Sequence, residues 1–259
     1  MTDLALLSLD VEEFDLPLER GAPISDETQF ETSRAGMDRL EALLADLAIP
    51  ATLFTTARFA LRYPDLMRRL ASRHEIASHA FSHSVFAPGD LSRSRETLEA
   101  VCGVPVSGFR RPRMQHTPAA DLRDAGYRYN SSINPTWVPG RYNHLRAPRT
   151  PTIEDGVVQI PASVTPTLRI PLFWLAFKNL PLALMRSAAA AVLRRDAAVN
   201  LYFHPWEFAD LRPFGLPRHI AGVDGARLLD RLAAFLGWLQ PRAEFATFGV
   251  LEARVRRGV

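Results

Sequence analysis

Leu4-Ala5-Leu6-Leu7-Ser8-Leu9-Asp10-Val11-Glu12-Glu13-Phe14 is an apolar run that ends in carboxylates. A short apolar stretch with few polar breaks reads as a strand buried on both faces, as in parallel sheets covered by helices. Successive side chains on a strand point to opposite sides. Asp10 and Glu12 therefore share one side, while Val11 and Glu13 take the other. In a barrel of βα units the C-terminal ends of the strands converge on one face, where chemistry is assembled. A strand that finishes on Asp-Val-Glu places its carboxylates there.

Outward from this strand, helical and strand-like patterns alternate along the chain. Met37, Leu40, Leu44 and Leu47 recur at helical spacing, with Leu43 widening the stripe. Strands are expected at 51–55, 75–78, 106–110, 127–131, 157–161, 199–204 and 245–251. Helices are expected at 65–73, 92–102, 118–125 and 225–239. Alternation over the whole length, without repeats or linkers, predicts a single α/β barrel-like domain over 1–259.

Composition narrows the function classes. The 259 residues are 47% hydrophobic and 23% charged, the balance of a folded globular chain. A net charge of +3 with no basic stripe argues against nucleic-acid binding. Cys102, the single cysteine, excludes an intrachain disulfide and a cysteine-cluster metal site. Met1-Thr2-Asp3 carries no signal-peptide pattern, so a cytoplasmic protein is expected. No run reaches about 18 uninterrupted apolar residues, the usual length for a membrane span. The segment 170–193 is nevertheless strongly apolar, broken by Pro171 and Pro181 and carrying Lys178 and Arg186. It is either a buried crossover or a patch that meets a membrane or a lipid-linked sugar.

Four expected strands end in chemically capable residues. They are Asp10-Val11-Glu12-Glu13, Ser78-His79-Ala80-Phe81-Ser82-His83, Phe109-Arg110-Arg111-Pro112 and Tyr202-Phe203-His204-Pro205-Trp206-Glu207. If a helical turn follows the third strand, the four-residue spacing of His79 and His83 sets both imidazoles on one side. Two histidines and a carboxylate form a hydrolytic metal set that leaves a position for water or substrate. One of the carboxylates that end the first strand could complete it.

In this order the motifs resemble those of the NodB-like polysaccharide deacetylases, carbohydrate esterase family 4. The first motif looks like Asp10-Val11-Glu12, the second His79-x-x-x-His83, the third Arg110-Arg111-Pro112. Residues 126–132 look like the fourth, and Leu201-Tyr202-Phe203-His204 like the fifth. The wording Asp-Val-Glu with His-Pro-Trp-Glu is closest to a subgroup found with exopolysaccharide gene clusters. The resemblance implies a distorted (β/α)7 barrel and metal-dependent removal of an N-acetyl group from an amino sugar. It also implies a divalent ion, zinc with cobalt or nickel as alternatives, on Glu12, His79 and His83. Asp10 becomes the general base, Arg110 its orienting partner and His204 the general acid. An N-acetylated glycan is the expected partner. A related amide hydrolase or deformylase, or a non-catalytic carbohydrate-binding relative, are the alternatives. Three positions depart from the pattern: Glu12 stands for an Asp, Ala80 for a hydroxyl residue, and Asn130 for a common Asp.

Overall fold

The structure, a computed structural model, describes residues 2–140 and 142–258. Its strands are β1 (Leu4–Val11), β2 (Thr52–Thr55), β3 (Glu75–Ser78), β4 (Gly108–Phe109), β5 (Tyr129–Asn130), β6 (Trp137–Val138), β7 (Tyr142–Asn143), β8 (Thr152–Glu154), β9 (Val157–Gln159), β10 (Ala198–Phe203) and β11 (Glu244–Ala246). The main sheet runs β10-β1-β2-β3-β4-β5-β9-β8, with β11 pairing the start of β1. From β10 to β9 every pairing is parallel, which gives seven parallel strands in one curled α/β sheet. β8 joins antiparallel at the edge. Between β9 and β10 the sheet is bridged by single contacts: the Ser163 N–H donates to Asn200 O, and the Asn200 side chain donates to Pro161 O. This is the distortion of the expected seven-stranded barrel.

Alternation along β1 sorts its side chains into two layers. Ala5, Leu7, Leu9 and Val11 face outward into the large core beneath the helices. Leu4 and Leu6 face inward against Phe54, Tyr129, Val158 and Phe248. Ser8 and Asp10 continue that inner face toward the C-terminal end, where it turns polar. The barrel interior is thus an apolar plug at one end and a polar site at the other.

The helix Asp26–Asp46 lies against the turn after β10, and Gly36 makes that approach possible. A Cβ at Gly36 would sit 1.7 Å from Pro205 O, so any side chain there would push the turn carrying His204 away. Arg39 then donates to Phe208 O at 2.6 Å, fixing the same turn from outside.

Three expectations need correction. The stretch 245–251 is not one strand: β11 ends at Ala246 and a helix, Phe248–Arg256, follows. Phe248 and Leu251 are buried three apart, a helical spacing that a short apolar run cannot distinguish from a strand's. The first strand ends at Val11 rather than Phe14, because the ladder to β2 stops at Val11. The segment 170–193 folds as two helices, Trp174–Asn179 and Leu182–Asp196, divided at Pro181. Phe177, Met185, Ala189 and Val192 are buried, and Leu184 is exposed. Lys178, read from sequence as an interruption of an apolar surface, is itself buried. Among the described residues, no helix is long and apolar enough to cross a membrane.

Candidate active site

The C-terminal ends of β1, β3, β4 and β10 bring six residues singled out from sequence into one pocket region: Asp10, Glu12, His79, His83, Arg110 and His204. Glu12 Oε2 faces both histidines, 3.0 Å from His79 Nε2 and 3.3 Å from His83 Nε2. Their other nitrogens are held from behind. His79 Nδ1 lies 2.9 Å from Arg110 O, and His83 Nδ1 lies 2.8 Å from Asp15 Oδ1. Both imidazoles therefore aim Nε2 at the same carboxylate oxygen. Glu12 Oε1 is fixed separately by the Trp206 indole N–H at 3.1 Å.

No helical turn joins His79 to His83. The chain leaves β3 as an irregular loop, and Ala80 adopts φ +66° to turn it. Ala57 and Arg58 donate to Ala80 O and Phe81 O, which ties the loop to the helix after β2. Glu13 points elsewhere, accepting from the Thr56 hydroxyl at 2.7 Å with Arg58 at 3.4 Å.

Asp10 stands beside this trio and is bound by a different partner. Arg110, fully buried, donates to Asp10 Oδ1 at 2.5 Å, to Ser8 Oγ at 3.0 Å and to Ser131 O at 2.9 Å. Its guanidinium lies 4.0 Å over the Phe54 ring, capping the apolar plug of the barrel. The pair is a buried ion pair with several hydrogen bonds, the arrangement that makes such burial tolerable.

His204 closes the pocket from β10. Its Nε2 is 3.9 Å from both Asp10 Oδ2 and Glu12 Oε1. Its Nδ1 lies 3.0 Å from Glu207 Oε1, which also accepts the His204 backbone N–H at 2.8 Å.

The electrostatics follow from the crowding. Burial alone would raise the Glu12 carboxyl, but His83, His204 and His79 outweigh it and hold the group well below its ordinary range. Burial would lower His83, yet Glu12 and Asp15 push it up to about 9. His204 is likewise raised against its burial, by Glu12, Glu207 and Asp10. Glu12, His79 and His83 each offer a ligand atom within 4.8 Å of the others, a group that could hold a metal ion.

A cavity of about 200 Å³ opens over these groups, walled by Trp174, Leu175, Ile220, Tyr202 and Arg113. A second cavity of about 570 Å³ shares Arg113, Met114 and Tyr142 with it and runs past Asn130, Ser132 and Gln159. Asn130 donates to Gln159 Oε1 at 2.7 Å and accepts from the Ser132 hydroxyl, so it faces the larger cavity. The Tyr129 N–H is taken by Ser107 O, and its ring is buried in the plug. Trp206 is packed against Phe14 at 5.1 Å and is 3% exposed.

Sequence reasoning missed Asp15, Lys178 and the role of Glu207. Glu207 had a visible signal, since it lies three residues after His204 in a turn opened by proline. Asp15 stands just beyond the run that ends β1. Lys178 had none, because its partner is 29 positions away along the chain.

The fold is that of solved polysaccharide deacetylases. A Mycobacterium smegmatis chain assigned as one superposes with a TM-score of 0.67 at 21% identity, covering 99% of this chain and 91% of that one. A Pseudomonas aeruginosa PAO1 chain assigned the same way gives 0.63 at 15% identity, over 98% and 91%. Puue allantoinase gives 0.62 at 16%, over 96% and 89%. The family model described as polysaccharide deacetylase matches residues 29–130. The chain thus has the fold of polysaccharide deacetylases throughout and matches that family's sequence pattern over residues 29–130. No curated protein sequence matches it.

Proposed function

We propose that this chain is a metal-dependent hydrolase that removes an N-acetyl group from an amino sugar of a glycan, an exopolysaccharide or its lipid-linked precursor being the substrate class. The observation that carries the reading is a division of labour among carboxylates. Glu12 Oε2 faces His79 and His83, while Asp10 is kept outside that trio by Arg110. Two imidazole nitrogens and one carboxylate oxygen, all within 4.8 Å of one another, fit a divalent ion, zinc or alternatively cobalt or nickel. Such an ion, when bound, polarises an acyl carbonyl and makes water a better nucleophile.

The chain's own residues supply the proton transfers. Asp10, aimed by Arg110, accepts the proton of the attacking water. His204 Nε2, directed at the same space, returns a proton to the leaving nitrogen, which converts a poor amide leaving group into an amine. Trp174, Leu175 and Ile220 wall the pocket with apolar surface, where charge interactions are stronger than in water. The larger cavity beyond Tyr142 gives neighbouring sugar units room to lie alongside.

A second reading, hydrolysis of a small amide or a formyl group, is prompted by the shared fold of Puue allantoinase. One experiment separates the readings from each other and from a non-catalytic sugar binder. Acetate and formate release is measured from N-acetylhexosamine oligomers, lipid-linked amino sugars and small N-acyl amines, and ring opening from small cyclic amides, with chelator and after metal is restored. Chelator-sensitive acetate release from the glycans is expected. Release confined to small amides moves the assignment to the second reading, and none from any substrate with metal restored rejects hydrolase activity.

A further inference from the structure

The geometry points to Glu207, anchored by the buried Lys178, as the positioning residue that commits His204 Nδ1 and leaves Nε2 alone to exchange protons in the pocket. Glu207 Oε1 accepts from the His204 backbone N–H at 2.8 Å and faces Nδ1 at 3.0 Å, so one oxygen fixes both the main chain and the ring. Glu207 is wholly buried. Its other oxygen, Oε2, makes no hydrogen bond and instead lies 3.1 Å from the Lys178 ammonium. Lys178 is also buried, donates to Ile220 O at 2.8 Å, and sits 5.5 and 5.8 Å from the Trp174 and Trp206 ring centres.

A lysine and a glutamate hidden together are costly to desolvate, and replacing such a pair by apolar residues is often neutral or stabilising. Stability therefore gives a weak reason for this pair, whereas a fixed carboxylate behind a histidine gives a functional one. A carboxylate facing Nδ1 accepts a hydrogen bond from the Nδ1–H, which selects the tautomer with Nε2 unprotonated until it takes up a second proton. Asn130, where the resemblance leads one to expect an Asp, cannot do this: its side chain is spent on Gln159 and Ser132. The carboxylate that faces His204 Nδ1 is carried three residues after it, on the same turn. Lys178 comes from the helix Trp174–Asn179 and Ile220 from the helix Arg218–Ala221. The relay thus ties the catalytic turn to two elements that wall the pocket.

The inference rests on the hydrolase reading for its consequence but not for its observable. The test uses the full chain loaded with metal, labelled with 15N-histidine, with the His204 signals assigned from His204→Asn. Wild type is expected to show Nδ1 protonated, and Glu207→Gln and Lys178→Met to lose that signature while circular dichroism and metal content are unchanged. In turnover, Glu207→Gln is expected to lower kcat about 100-fold or more, with KM within about threefold. A Glu207→Gln protein that keeps the wild-type tautomer overturns the inference, as does a loss that falls on KM or on metal content. Should Glu207→Gln fold poorly, Lys178→Met carries the same spectroscopic test. A wild type that releases no acyl group rejects the hydrolase reading, and the tautomer result still decides this one.

Discussion

Asp10 and Glu12 are two residues apart and are held by different partners, and the difference comes from their neighbours rather than from their type. Arg110 holds Asp10 at 2.5 Å, whereas imidazoles surround Glu12 Oε2. Asp10→Asn keeps the shape and a hydrogen-bond acceptor for Arg110 but removes the basic oxygen. Turnover is expected to fall about 10²- to 10⁴-fold with metal stoichiometry unchanged. Steady-state kinetics beside metal analysis checks this, and full activity in the variant removes Asp10 as the base. The juxtaposition of Asp10, Glu12, His79, His83, Arg110 and His204 was legible from sequence because each lies at or just past a strand end, where topology alone brings residues together. Lys178 was not legible. Its meaning depends on an ion pair with Glu207 formed only when a helix folds over the pocket, and no local pattern announces a tertiary pair.

At the scale of elements, the loop after β3 shows how a correct spacing can arise from a different structure. His79 and His83 meet as a helical i, i+4 pair would, yet the chain between them is irregular, turned by Ala80 at φ +66°. Periodicity could not reveal this, since a left-handed residue leaves no trace in the apolar pattern when it is not glycine. Ala80 is fully buried as well as left-handed. A β-branched side chain has neither the backbone freedom nor the room, so Ala80→Val is expected to cost about 2–3 kcal/mol in stability. It is also expected to weaken metal binding by at least about tenfold, because the two imidazoles move relative to Glu12. Denaturant unfolding and isothermal titration with zinc measure the two effects, and a stable variant with unaltered affinity shows that the loop does not set the spacing. The helices Asp90–Cys102 and Gly225–Leu239 were easier to read, being long and periodic. The stretch 245–251, expected as one strand, ends as a helix from Phe248 because a short apolar run fits either period.

At the scale of the whole molecule, the barrel interior is graded from apolar plug to polar site, and one carboxylate lies at the far end from the chemistry. Glu75, at the start of β3, accepts from the Thr52 hydroxyl at 2.7 Å and from the Gly249 N–H at 3.1 Å. Burial raises its pKa above the ordinary 4.5, more than these hydrogen bonds lower it. A group whose pKa is higher folded than unfolded binds its proton more tightly in the native state. Its contribution is fully present below the unfolded value and is lost as pH rises through the folded one. Wild type should therefore carry at neutral pH a destabilisation that it lacks in acid. Glu75→Gln preserves a carbonyl to accept from Thr52 and Gly249 and has no charge to bury. The variant is expected to match wild type in Tm below about pH 4.5 and to exceed it increasingly at higher pH, by about 2–4 °C for each kcal/mol relieved in a chain of this size. Thermal melts from pH 4 to 8 read the difference directly. A Tm gap that is constant with pH would mean that the carboxyl titrates alike in the folded and unfolded chain, and one that widens toward acid that the ionised carboxylate is stabilised in the folded barrel. Because Glu75 lies at the opposite end of the inner face from Asp10, the substitution should leave turnover at its wild-type level.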